Sequence, residues 1–124
     1  MGVKKNILIV EDDEFFRELL KKKLLSLGFH IFEASNGEEG VEQTNQKKPD
    51  LIILDLLLPN IDGFEVLSKV KTNPETSSTP VIIVSNLGQQ EDVERGLKLG
   101  AADYLIKSQF DIESIVAKIK GVLK

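Results

Sequence analysis

Five times along the chain a short apolar run gives way to a stretch with helical periodicity. The runs are Asn6 to Val10 (NILIV), His30 to Ala34 (HIFEA), Leu51 to Asp55 (LIILD), Pro80 to Val84 (PVIIV) and Asp103 to Ile106 (DYLI). Continuous apolar stretches such as Leu51 to Leu54 suit strands buried on both faces, as in a parallel sheet. HIFEA is more polar and predicts an edge strand. From Glu14 the period becomes 3.6: Phe16, Leu19, Leu20, Leu24 and Leu27 share one face, with Arg17, Glu18, Lys21 and Lys22 opposite. Asp13 is placed to cap this helix and Gly28 to stop it. Glu38 to Gln46 predicts a weaker helix. Phe64, Leu67 and Val70 mark a third helix, from Gly63 to about Asn73. Val93 and Leu97 anchor a fourth from Glu91 to Leu99. Asp111 caps a fifth, carrying Ile112, Ile115, Val116, Ile119 and Val122.

This alternation predicts an α/β fold, a doubly wound five-stranded parallel sheet with helices on both faces. In such a sheet all strands end at one edge, and ligands bind where the strand order reverses. With the order 2-1-3-4-5, the flavodoxin-like three-layer α/β/α arrangement, strands one and three meet at that point. Their ends carry Glu11, Asp12 and Asp55; strands four and five end at Ser85 and Lys107.

Composition narrows the classes. The 124 residues suit a single domain, 1–124, with its own core. No apolar run approaches the roughly 18 residues of a membrane span, and the N-terminal run is too short for a signal peptide. There is no cysteine, so disulfide and thiolate chemistry are excluded. These features suggest a cytoplasmic protein without a membrane partner. The net charge of −4 argues against direct nucleic-acid binding by this domain. A single histidine, His30, excludes a multi-histidine zinc site and is read as structural or solvated.

Three carboxylates in one partly buried cleft repel each other. A hard divalent cation such as Mg²⁺ relieves the conflict through oxygen ligands. A carboxylate can attack phosphorus, a lysine can meet a phosphoryl oxygen, and a hydroxyl can donate to another. Each residue alone has an ordinary explanation: acids favour helix starts, Ser85-Asn86 suits a turn, and Lys107 suits a solvated strand end. Their joint placement at one sheet edge points to a Mg²⁺-dependent phosphoryl acceptor.

The segments ILIVEDD, DLIILDLLLPNIDG, PVIIVSN and GAADYLIKS carry a resemblance to the receiver domain of two-component response regulators, over essentially the whole chain. The resemblance implies that Asp55 is the phospho-accepting aspartate. It implies that Asp12 binds Mg²⁺ directly and Glu11 through water, with the backbone carbonyl of Leu57 and Asp55 itself as further ligands. Ser85 then matches the switch hydroxyl, Tyr104 the switch aromatic and Lys107 the phosphate-facing lysine. Asp13 falls outside the acid pair. The implied donor is a sensor histidine kinase or phosphotransfer domain. The implied output is a changed face built from helix four, strand five and helix five, with Tyr104 turning inward after phosphorylation. That face would act on a downstream protein target or on an output domain beyond Lys124, and would serve for a phosphorylation-induced homodimer. By this reading the domain is a switch and not a turnover enzyme.

Three positions depart from the family pattern. Ser108 stands where a proline, often after a cis bond, is usual; a non-proline cis bond costs about 2.5–4 kcal/mol, so a trans bond with an adjusted loop or a strained cis bond is expected. Asn86 replaces a small residue and is expected to narrow access to the phosphoryl group or to bond it. Gly40 replaces an alanine and should weaken the second helix. Other classes share parts of the pattern. A phosphatase of the haloacid dehalogenase type normally has a second aspartate where this chain has Leu57. A flavodoxin-like cofactor binder would not place Glu11-Asp12-Asp13 against an anionic phosphate. A phosphorylation-independent interaction module would not need the acid, hydroxyl and lysine set.

Overall fold

The computed structural model describes residues 4–123. Strands β1 (Asn6–Val10), β2 (His30–Ala34), β3 (Leu51–Leu54), β4 (Val81–Ser85) and β5 (Asp103–Ile106) alternate with helices α1 (Glu14–Ser26), α2 (Gly37–Lys47), α3 (Gly63–Thr72), α4 (Gln90–Lys98) and α5 (Ile112–Leu123). The strands form one parallel sheet in the order β2-β1-β3-β4-β5. The polar strand β2 lies at an edge, as its composition predicts.

Alternate side chains along each strand feed two cores. Ile7, Ile9, Ile53, Ile82 and Leu105 pack with Leu20 and Leu24 of α1 and with Ile115, Val116 and Ile119 of α5. Leu8, Val10, Ile52, Leu54 and Ile83 pack on the other face with Phe64, Leu67 and Val70 of α3. Each fully buried aliphatic side chain contributes about 1.5–3 kcal/mol. Two layers of helices therefore hold the sheet rigid and leave its C-terminal edge for the site.

Caps place the helices that flank that edge. Asp13 accepts from the Phe16 N–H at 3.2 Å, and Asp111 accepts from the Ser114 N–H at 2.8 Å. Asp62 likewise caps α3 through the Glu65 N–H at 3.0 Å. Some apolar assignments change. Leu19 and Leu27 in and after α1, and Leu97 in α4, are exposed, because the contact stripe is narrower than the run of leucines. In α4 the buried position is Gly96, with Val93 partly buried beside the core. His30 is exposed on β2. Gly40 lets α2 approach β1: a Cβ there would lie 2.9 Å from the Val10 Cγ1. Close packing on Val10 is thus the counterpart of that position's weak helix propensity.

Gly63 opens α3 directly against the segment that carries Asp55. A Cβ at Gly63 would lie 2.4 Å from the Leu56 Cα and 2.5 Å from the Asp55 carbonyl oxygen. Both are backbone atoms, which cannot yield as a side-chain tip can. Gly63→Ala is therefore expected to lower the unfolding free energy by about 1–3 kcal/mol in urea titration. An unchanged midpoint would show that this turn has room to retreat.

Candidate functional site

The site is built from strand ends. After the last β1–β3 pair, Val10↔Leu54, the Asp55 N–H bonds the Val10 carbonyl at 3.0 Å. The Glu11 N–H bonds the Ala34 carbonyl of β2 at 2.9 Å. These bonds carry both carboxylates to the same place. Asp55 is 4% exposed and Glu11 2%. Asp12 is exposed beside them, and one carboxylate oxygen from each of Glu11, Asp12 and Asp55 lies within 4.8 Å of the others. Such a set of hard oxygen donors fits a divalent cation of the Mg²⁺ kind.

Lys107 follows β5 and crosses to the acids. Its Nζ donates to the Glu11 Oε1 at 2.7 Å and to the Asp55 Oδ2 at 3.1 Å. It also lies 4.6 Å from the Phe16 ring centroid, a cation–π contact. The other Asp55 oxygen accepts from the Leu57 N–H at 3.1 Å, and the Glu11 Oε2 accepts from the Asp13 N–H at 3.0 Å. Burial raises the Glu11 pKa from 4.5 to about 7, against the hydrogen bond from Lys107 and with help from the Asp55 charge. Burial disfavours the Lys107 ammonium, but the Glu11 bond and the two acid charges outweigh it and raise that pKa. Three acids face one ammonium, so the site favours a further cation.

Ser85 and Tyr104 both hydrogen-bond the backbone of Leu87. Ser85 is fully buried, and its Oγ accepts from the Leu87 N–H at 3.3 Å. The Tyr104 hydroxyl donates to the Leu87 carbonyl. Neither side chain hydrogen-bonds Asp55. Burial, then the Asp92 and Asp55 charges, pushes the Tyr104 pKa up to about 12. Tyr104 lies inward in this structure, at 9% exposed. Gly96 makes the room, since a Cβ there would lie 2.9 Å from the Tyr104 Cδ2.

No peptide bond among the described residues is cis, and Lys107–Gln109 forms a 3₁₀ turn in place of a strained bond. Asn86 is exposed, and its Oδ1 accepts from the Ser108 N–H at 3.0 Å. Arg17 was missed altogether. The helical period assigns it to the outward face, yet its Nη1 donates to the Glu11 carbonyl at 2.8 Å and its Nε pairs with Glu33 at 3.0 Å. Lys21 joins Glu33 at 2.9 Å. The available signal was Glu33, an acid on an edge strand next to a helix with two outward cations.

A parallel α/β domain with this acid, lysine and hydroxyl arrangement at its switch point is of the receiver class. Residues 7–120 match the response regulator receiver domain, and the chain belongs to that family. The phosphate regulon transcriptional regulatory protein PhoB of Escherichia coli is 38% identical over 120 residues, 97% of this chain and 52% of that protein. The DNA-binding dual master transcriptional regulator RpaA of Synechocystis is 37% identical over 118 residues, 95% of this chain and 48% of that protein. The chain spans about half the length of the curated relatives it matches. A CheY-like receiver domain protein from Methanospirillum hungatei superposes with a TM-score of 0.91 at 27% identity, over 98% of this chain and 94% of that one. The phosphorylated cyanobacterial phytochrome response regulator RcpA gives 0.82 at 29% identity, over 97% and 91%.

The raised Glu11 pKa has a definite sign. In metal-free buffer the unfolded carboxyl ionises near 4.5 and the folded one near 7, so the folded state holds the extra proton in between. Glu11 therefore makes stability fall as pH rises through that window. Relative to Glu11→Gln, the wild type is expected to lose roughly 1–3 kcal/mol between pH 5 and pH 8. Urea titrations of both proteins at the two pH values check this. A gap that stays constant would mean Glu11 is ionised throughout.

Proposed function

We propose that this domain is a phosphorylation-dependent signalling switch whose acceptor is Asp55. The observation that carries the reading is a buried Asp55 carboxylate held by Lys107 at 3.1 Å and grouped with Glu11 and Asp12. Membership in the receiver family and the phosphorylated relative RcpA support it.

The donor is a phosphohistidine presented by a sensor histidine kinase or phosphotransfer domain. An Asp55 oxygen attacks phosphorus in line; the O–P bond forms, the P–N bond breaks, and the imidazole leaves. Lys107 turns from Glu11 towards a phosphoryl oxygen and offsets its charge. Asp12, Asp55 and the Leu57 carbonyl, with Glu11 through water, would hold Mg²⁺, which supplies charge neutralisation on the transferring group. The new group adds about −1.5 to −2 charge. The Ser85 hydroxyl exchanges the Leu87 amide for a phosphoryl oxygen, which shifts the β4–α4 loop. Tyr104 already occupies the inward position, so phosphorylation holds it there and biases the face made by α4, β5 and α5. Hydrolysis of the acyl phosphate resets the domain, which is a cytoplasmic switch and not a turnover enzyme. The names of its relatives point to control of transcription as the output.

With acetyl phosphate and Mg²⁺ the wild type is expected to gain one phosphoryl mass, and Asp55→Asn or a chelator to abolish the gain. Equal phosphorylation of Asp55→Asn would remove Asp55 as the acceptor. The acid pair makes a separate forecast. Asp12→Ala is expected to weaken Mg²⁺ binding at least about tenfold in calorimetry. Asp13→Ala should keep the affinity and lose about 1 kcal/mol of stability with its cap. Equal loss of affinity in both would move the pair by one residue.

A further inference from the structure

Lys107 reaches two carboxylates just beyond β1 and β3, so the direction in which its backbone leaves β5 matters. The β4–β5 pairing ends at Ser85↔Ile106. Beyond it, one hydrogen bond among the described residues joins Asn86–Gln89 to Lys107–Phe110: the Ser108 N–H donates to the Asn86 Oδ1 at 3.0 Å. The side-chain carbonyl thus continues the ladder by one rung. A peptide unit is planar, so fixing the Ser108 N–H fixes the plane that leaves the Lys107 Cα. Lys107 then starts the 3₁₀ turn Lys107–Gln109 with its ammonium 2.7 Å from Glu11 and 3.1 Å from Asp55.

We propose that Asn86 is a positioning residue for Lys107, acting through the Ser108 N–H to aim the ammonium at Asp55. The proposal rests on the phosphoryl-acceptor reading of the site. Asn86 is also the chain neighbour of Ser85, so the segment that anchors Lys107 moves with the hydroxyl. The Tyr104 hydroxyl ties the next residue, Leu87, to β5. Two adjacent residues of the β4–α4 loop are therefore fastened to β5 and the turn after it. Lysine and serine hydroxyl become one unit in place of two independent groups. A long lysine side chain has many rotamers, and anchoring its base lowers the entropy of finding the reactive one.

Asn86 and Ser108 are both exposed, so replacing either leaves the two cores intact. The experiment measures phosphorylation by acetyl phosphate at saturating Mg²⁺. Asn86→Ala, which deletes the acceptor, is expected to slow it by about threefold to tenfold. Asn86→Asp, which keeps an acceptor, should stay within about twofold of the wild type. A faster Asn86→Ala protein would show that the side chain merely obstructs the acceptor, and equal slowing in Asn86→Asp would show that the bond to Ser108 is not what matters; either overturns the proposal. A second arm uses the unphosphorylated protein. Nuclear magnetic resonance should show faster exchange of the Ser108 amide and a displaced Lys107 ammonium resonance in Asn86→Ala. Asn86→Asp, which keeps an acceptor, should restore the amide's protection. An unmoved Lys107 resonance overturns the proposal even if the amide exchanges faster. Failure of the wild type to accept a phosphoryl group would overturn the proposed function, while this arm still decides the role of Asn86.

Discussion

The Lys107 ammonium between Glu11 and Asp55 is the contact on which the site depends. Two carboxylates with almost no solvent access cost several kcal/mol each if left unpaired. One cation serves both, at 2.7 and 3.1 Å. Only the strand order makes this affordable. β1 and β3 are neighbours and deliver the acids side by side, while β5 lies two strands from β3. A short side chain could not cross that distance; a lysine can, with its ammonium against the Phe16 ring. Arg17 also reaches this place, donating to the Glu11 carbonyl.

The same charge balance bears on the backbone that follows β5. Glu11 and Asp55 share Lys107, while Asp12 makes no ion pair among the described residues, so the cluster has room for a cation or, at Glu11, a proton. Anything that takes the ammonium from Glu11 changes the load on the turn after β5. That turn is fastened to the loop after β4 through Asn86, and the loop is fastened to β5 through Tyr104 and Leu87. Ser85 lies at the junction. The acids and the α4–β5 face are therefore parts of one connected network of polar contacts.

Much of this was legible in the sequence because its signals are periodic or local. The buried runs of β3 and β4, the caps Asp13 and Asp111, and the acids and lysine at the strand ends follow from residue spacing. What could not be read depends on where side chains bend after leaving the backbone. Arg17 occupies an outward helical position, but its long side chain reaches back to Glu33 and to the Glu11 carbonyl. Leu19, Leu27 and Leu97 are apolar at helical spacing, yet the layer beneath them is already filled. Asn86 was read from its size, when its partner lies 22 residues away in a loop whose path no local rule fixes. Gly96 is invisible as a signal until the Tyr104 ring is found beside it.

Tyr104 is the sole tyrosine, and the chain has no tryptophan. The near-ultraviolet fluorescence of the domain therefore arises almost wholly from one ring, seated against Gly96 at the α4–β5 face. A bulk optical signal that in most proteins averages many sites is here a label-free, single-position readout. The chain carries its own spectroscopic probe at the face that its switching would rearrange.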